Sequence, residues 1–91
     1  MASQATDAAA INKAISVTAL FENGQVKPLH VTWNDRVYHV TNVNSVWRQT
    51  VCATKYVHLA VETREGTNME LVIDPTDLSW RLQKAGHRAA P

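Results

Sequence analysis

The chain has 91 residues, which allows one domain, and 45% of them are apolar, too many for an intrinsically disordered protein. Nine Lys or Arg residues against eight Asp or Glu residues give a formal net charge of +1 at pH 7. This balance excludes a strongly basic nucleic-acid coat protein and leaves room only for a local basic patch.

The two ends of the chain predict flexible tails. Residues 1–13 are rich in Ala, Ser, Thr and Asp, and residues 85–91 predict a second tail. The N-terminus has neither the basic start nor the apolar run of a signal peptide, and no stretch approaches the roughly 20 apolar residues of a membrane span. We therefore expect a single β domain over residues 14–84, located in the cytoplasm, with no membrane partner.

Between the tails, apolar residues recur at every second position, which is the period of a strand in an antiparallel sheet with one wet face. Residues typical of turns separate the alternating runs at Asn23-Gly24, Asn34-Asp35, Glu65-Gly66 and the segment 74–77. Each break has the length of a hairpin loop, so consecutive strands should be neighbours. The pattern predicts an all-β fold: a single six-stranded antiparallel meander, strongly bent or closed into a small barrel.

Matching the apolar faces across each turn predicts the strand register. A two-residue turn at Asn34-Asp35 pairs Val31 with Tyr38, and it therefore pairs His30 with His39. The later hairpins are predicted to pair Leu59 with Ile73, and Leu71 with Trp80. The first hairpin needs one extra residue to match its faces, so we expect a bulged three-residue loop that ends at Gly24 and sets Val17 opposite Leu29.

The third strand also needs a bulge, because strict alternation would turn Asn42 inward. A slip near Thr41-Asn42 brings Val43 and Trp47 into the core instead. The predicted core residues are Val17, Leu29, Val31, Trp33, Tyr38, Val40, Val43, Trp47, Val57, Leu59, Val61, Met69, Leu71, Ile73, Trp80 and Leu82.

The sequence offers little for catalysis, since it has no glycine-rich phosphate loop and no nucleophile elbow. A core this small also leaves little room for a ligand pocket of typical size. Cys52 is the single cysteine and is expected to be a half-buried small residue in a reducing compartment. We therefore expect that the chain is not an enzyme and that it has no catalytic residues and no cofactor.

Three histidines, His30, His39 and His58, are expected on the outer face. Surface histidines are common on strands, so no metal site is predicted, and metal binding by this group is left as an open alternative.

The wet face of the predicted sheet is weakly polar and poor in charge, which suits a protein contact or a homodimer better than a phosphate backbone. The predicted protein-contact residues are His30, Thr32, His39, Thr41, Tyr56 and His58. An alternative surface combines basic side chains with neighbouring aromatic residues, as single-stranded nucleic acid requires. Its residues are Arg36, Arg48, Lys55 and Arg81.

One long stretch resembles a family of small bacterial domains of unknown function. The resemblance covers about residues 27–83 and is carried by Pro28-Leu-His-Val-Thr-Trp-Asn-Asp-Arg-Val-Tyr-His-Val, then Val43 and Trp47-Arg48, then Leu71-Val-Ile-Asp74-Pro75 and Trp80-Arg-Leu82. Some members are encoded beside genes for error-prone DNA-repair polymerases, which implies a nucleic-acid or repair-associated binding role. The sequence thus predicts a small non-enzymatic binding module with a protein partner or a second copy of itself, or alternatively a single-stranded nucleic-acid-binding or DNA-repair accessory domain.

Overall fold

The computed structural model describes residues 9–87, which form a closed barrel of antiparallel strands in sequential order, with the last strand pairing with the first. The strands are β1 (Ala9–Glu22), β2 (Gln25–Trp33), β3 (Arg36–Val51), β4 (Thr54–Thr63), β5 (Thr67–Asp74) and β6 (Ser79–His87). This confirms the predicted six-stranded all-β meander, and of the two predicted forms, strongly bent or closed, the sheet has the closed one. The barrel extends beyond the predicted 14–84 at both ends, and the parts of the predicted tails at 1–8 and 88–91 lie outside the described residues. Within residues 9–87 no helix has the length and apolarity to span a membrane.

Three hairpins turn through two residues that both have positive φ, the backbone of a type I′ turn, whose twist matches that of the flanking strands. Asn23-Gly24 and Asn34-Asp35 are residue types that tolerate this conformation. The third turn is Cys52-Ala53, with φ of 50° and 71°. Cys52 is exposed at this turn, so the expectation that it is half-buried is wrong.

The structure confirms the predicted register of β2 with β3, including Val31 opposite Tyr38 and His30 opposite His39. The predicted registers of β4 with β5 and of β5 with β6 are each wrong by two residues, because Leu59 pairs with Leu71, and Leu71 pairs with Leu82. A shift by two positions keeps every side chain on its own face, so the predicted core survives the error.

Side-chain hydrogen bonds explain why each of these two loops lies one residue away from its predicted place, which changes the register by two residues. The Thr63 hydroxyl donates to the carbonyl of Thr67 (2.7 Å) and accepts from its N–H (3.1 Å), which closes the loop at 64–66. In the β5–β6 loop the Asp74 carboxylate accepts from the N–H of Thr76 (2.9 Å), and the Asp74 carbonyl accepts from the N–H of Leu78 (2.7 Å).

The first hairpin contains a bulge, but not at the predicted place. Its turn has two residues, with Glu22 opposite Gln25, and the extra residue is Leu29 on β2. Val17 therefore pairs with Val31 rather than with Leu29. Leu29 is 42% exposed, so its predicted place in the core is wrong: a bulged residue leaves the alternation of its strand.

The third strand contains the predicted bulge at Thr41 and a second bulge at Asn44. The second bulge reverses the alternation again and turns Trp47 outward, where it is 37% exposed. The prediction that Trp47 belongs to the core is therefore wrong. Beyond the barrel, residues 49–56 continue as a two-stranded hairpin, here called the arm, because the pairing of β4 with β5 begins only at Val57.

The core fills the barrel with side chains from β2 to β6, while partly buried residues of β1 pack against it. Val31, Leu59, Leu71 and Leu82 are completely buried at its centre. Burial of each such side chain contributes about 1.5–3 kcal/mol to folding. The interior therefore holds the barrel together, although one side of it is open.

A candidate peptide-binding cleft at the open side of the barrel

The ladder between β2 and β3 ends early. The last pair is His30 with His39, and within residues 9–87 no ladder joins residues 25–29 of β2 to residues 40–51 of β3. The bulged residues Leu29 and Thr41 lie within two residues of this pair, one on each strand, and a bulge bends the strand that carries it. The opening leads into a cavity of about 1100 Å³, here called the side cleft.

The side cleft is lined mainly by apolar side chains. Val40, Val43, Val57 and Ile73 belong to the core or pack against it. Phe21, Leu29, Val46 and Leu78 also line the cleft and are 42–62% exposed. Single exposed apolar residues are normal, whereas a contiguous group around a concavity marks a binding surface. The expectation that a small core leaves little room for a pocket did not anticipate this cleft, because the cleft lies between two separated strands rather than inside the closed core.

One wall of the side cleft is a free strand edge. Residues 45–51 of β3 pair with β4 in an unbroken register as far as Val51 opposite Thr54, the pair that closes the type I′ turn. Hydrogen-bonded and non-hydrogen-bonded pairs alternate in an antiparallel ladder. The N–H and C=O groups of Val46, Arg48 and Thr50 are therefore directed away from β4, toward the edge that no described strand covers.

The opposite wall is protected against strand addition. Pro28 on β2 has no N–H to donate, Lys27 places a charge beside it, and Leu29 is bulged. Proline, lysine and bulges are the features with which sheet proteins protect their edges. Of the two edges that border the cleft, β3 is therefore the one that can accept another strand.

Arg48 is the charged side chain that the alternation of β3 directs to the cleft side. Arg48 stands opposite Val57. Lys55 lies two positions before Val57 on β4 and is therefore on the same face of the hairpin. Glu22 and Lys27 also line the cleft, on the β1–β2 hairpin, at positions that alternate with Phe21 and Val26. Within residues 9–87 Arg48 has neither a hydrogen bond nor an ion pair.

The outer face behind the cleft carries a different cluster. The Trp47 indole stacks on the His58 ring with centroids 5.2 Å apart and planes 14° apart. His58 is only 7% exposed, its Nδ1 lies 3.7 Å from Oε2 of Glu70, and this nitrogen has no hydrogen-bond partner in the described structure. His58 does face outward, as predicted, but it is not accessible because Trp47 covers it.

Glu65 fixes the β4–β5 loop to β3 next to the end of the β2–β3 ladder. Its carboxylate accepts hydrogen bonds from Nδ1 of His39 (2.7 Å) and from the His39 N–H (2.8 Å). These two bonds, the side-chain bond first, lower the pKa of Glu65 to about 2. The Arg64 N–H donates to the His39 carbonyl (2.8 Å) at the same place. His39 therefore serves a structural joint, and its backbone is not available to a partner.

The predicted protein-contact residues do not form one group. His30, Thr32 and His39 are neighbours on β2 and β3, with the rings of His30 and His39 5.0 Å apart. Thr41 lies at its bulge and donates to the carbonyl of Glu62 (3.3 Å). Tyr56 and His58 lie farther along, where β4 enters the arm. His58 stands opposite Trp47, which is eight positions along β3 from His39, so the three histidines are not brought together. Residues 9–87 contain no cluster of three His, Cys, Asp or Glu side chains able to hold a metal ion.

The predicted nucleic-acid residues are also dispersed. The Arg36 guanidinium lies over the Tyr38 ring, 5.4 Å from its centroid. The Arg81 guanidinium donates to the side-chain and backbone oxygens of Asn12 (2.7 and 2.8 Å). Arg48 and Lys55 are close together near the side cleft. No single basic face results from the four residues.

Comparison with known proteins adds no function to this geometry. No protein-family model, curated protein or solved structure matches the chain. The resemblance to the small bacterial domains therefore stays a prediction, and the cleft and the free edge are the features of the molecule that point to a function. Sequence analysis missed both, although the polar insertions in Val40-Thr-Asn-Val-Asn-Ser-Val46 were the signal that β3 leaves regular alternation twice.

Proposed function

We propose that this chain is a small, non-enzymatic protein-interaction module that binds one extended segment of a partner protein. The segment adds to the free edge of β3 at residues 45–51 and places alternate side chains in the side cleft. One observation carries this proposal: an unpaired, regular strand edge borders an open cavity of about 1100 Å³ whose lining contains many apolar side chains. In strand addition, main-chain hydrogen bonds provide affinity and pockets for alternate side chains provide specificity.

The size of the cleft favours a short segment over a second folded barrel. Its volume of about 1100 Å³ is close to the range of ordinary ligand pockets, roughly 300–1,000 Å³. A second copy that pairs its own β3 edge about a twofold axis at Arg48 would also set two Arg48 side chains opposite each other. Both arguments favour a partner's segment over the predicted homodimer.

The proposal includes the cytoplasm as the compartment. Cys52 is a free, exposed cysteine at the tip of the arm, close to the strand edge that binds the partner. An exposed single thiol is compatible with a reducing environment, where disulfides between copies do not accumulate.

Selection from a random-peptide library on the immobilised chain tests the proposal, followed by affinity measurement of the selected peptides. Amide hydrogen exchange then reports the binding site. We expect peptide binding to slow exchange at Val46, Arg48 and Thr50, because their N–H groups acquire partners. If no selected peptide binds more tightly than about 1 mM, or if these amides keep their exchange rates, the proposal is wrong.

The substitution Val46→Pro is the matching genetic test. Proline removes an N–H that points away from β4, so the β3–β4 ladder keeps its hydrogen bonds. The control is Val37→Pro on the same strand, since the Val37 N–H also points away from its partner strand but lies far from the side cleft. We expect the first variant to lose about tenfold or more in peptide affinity and the second to keep it, with both folded by circular dichroism.

Binding to single-stranded nucleic acid is the competing outcome, because Arg48 and Lys55 share one face of the hairpin. An oligothymidylate that binds with steep salt dependence and protects the same three amides would replace the protein partner with nucleic acid.

A further inference from the structure

We infer, on the basis of the proposed function, that the partner segment carries an acidic side chain two residues away from an apolar one. Arg48 binds the acidic side chain, and Val46 with its apolar neighbours receives the other. The expected partner segment is therefore a strand with both an acidic and an apolar side chain on one face, rather than a uniformly apolar strand.

The spacing follows from strand geometry. Val46 and Arg48 are consecutive cleft-facing residues on the free edge of β3, in a stretch without a bulge. Residues of an added strand that stand opposite them are also two apart and share one face. An antiparallel segment therefore has the order acidic, any residue, apolar, and a parallel segment has the reverse order.

The charge at this position favours an anion. Arg48 has no ion pair within residues 9–87, it faces Val57 across the ladder, and Lys55 adds a second positive charge on the same face. A guanidinium binds a carboxylate through two parallel hydrogen bonds. A docked strand excludes water from the neighbouring valines, and lower local polarity strengthens the attraction between the two charges.

The rest of the β3 wall favours apolar side chains of the segment. Beyond Val46 the same strand presents Val43 and Val40 to the cleft, and Leu29 faces them from β2. Along β3 the wall of the cleft is thus basic at Arg48 and apolar at Val46, Val43 and Val40, while Glu22, Gln25 and Lys27 line the part formed by the β1–β2 hairpin. This asymmetry fixes which residue of the segment lies where, because a one-residue slip would direct the carboxylate away from Arg48.

Two synthetic peptides test the inference: KTETVTVTK and KTKTVTVTK, which differ only in the residue expected opposite Arg48. Reversed versions of both peptides test parallel binding. Fluorescence anisotropy is measured with the wild-type chain, with Arg48→Glu and with Arg36→Glu. The last is a matched control, since it makes the same change of charge on the same strand but at the Tyr38 ring, away from the side cleft.

We expect the wild-type chain to prefer the glutamate peptide about tenfold, and Arg48→Glu to reverse this preference, while Arg36→Glu leaves it unchanged. Equal binding of both peptides to the wild-type chain would overturn the inference. So would an equal effect of the two arginine variants.

The outcomes separate the inference from the proposed function. If library-selected peptides bind at β3 but ignore the charge at residue 48, the inference fails and the proposed function stands. If sedimentation shows a dimer that Val46→Pro converts to a monomer, a second copy occupies the cleft, and both the inference and the partner-segment proposal fail.

Discussion

Two leucine-to-alanine substitutions separate the core of the barrel from its open side. Leu71 is completely buried and pairs with Leu59 and Leu82, whereas Leu29 is 42% exposed on its bulge. Truncating a buried leucine costs about 2–5 kcal/mol, because the loss of burial adds to the cavity that remains. The bulged leucine is only partly buried, so its truncation should cost about 1 kcal/mol.

These costs are large on the scale of the whole domain, since about 0.05–0.15 kcal/mol per residue is a normal total stability. For a domain of this size each kcal/mol changes the melting temperature by about 4–8 °C. We therefore expect Leu71→Ala to lower the melting temperature by about 10–30 °C and Leu29→Ala by less than about 8 °C. Urea unfolding followed by tryptophan fluorescence measures both free energies.

We also expect Leu29→Ala to weaken peptide binding more than Leu71→Ala does, although it destabilises the fold less. Leu29 lines the side cleft, so Leu29→Ala should weaken peptide binding while the barrel remains stable. Equal destabilisation by the two substitutions would show that Leu29 belongs to the core. In that case the bulge on β2 would be wrong, and with it the opening between β2 and β3.

Two further substitutions test the joint at His39 and the tip of the arm. Glu65→Gln should reduce the acid sensitivity of the fold. The pKa of Glu65 is lowered from 4.5 to about 2 in the folded chain. The stability that its carboxylate contributes is therefore present above pH 4.5 and is lost as the pH falls toward 2. Urea midpoints between pH 2 and 7 should therefore fall less steeply in this variant than in the wild-type chain, and parallel curves would contradict the role of Glu65. Ala53→Gly should stabilise the protein by about 1 kcal/mol, because Ala53 has a φ of 71° in a conformation that costs residues with a side chain about 1–2 kcal/mol. A melting temperature that stays the same or falls would show that this turn is not strained.

The sequence predicts the parts of this fold that depend on alternation. Val31 opposite Tyr38 and His30 opposite His39 follow from one two-residue turn between two regular runs. The loops lie at 64–66 and 75–78, each one residue away from its predicted place, because hydrogen bonds of Thr63 and Asp74 that alternation does not encode fix where the strands end. The error of two residues was harmless because the period of a strand is two.

Bulges account for the errors that matter to function. One bulge changes the face of every residue that follows it. Because the bulge at Asn44 was not predicted, Trp47 was assigned to the core, and its stacking on His58 at the outer face was not foreseen. Leu29 was assigned to the core for the same reason, because an apolar residue at a regular position and one at a bulge look alike in sequence. The candidate site escaped sequence analysis because it exists only where alternation fails.

The side cleft is therefore a consequence of where the bulges lie on the two strands. If the register set by Asn34-Asp35 continued, Leu29 would pair with Val40 and the next residues of β2 would cover the edge of β3. Leu29 and Thr41 instead bulge within two residues of the last pair, and the strands separate there while the other pairs of neighbouring strands keep the barrel closed. The separation leaves apolar side chains exposed and a strand edge uncovered. Both features are a cost to the free chain, because each makes it more prone to aggregate. A partner segment that fills the gap removes both costs together, and this coupling is the physical reason to expect one at β3.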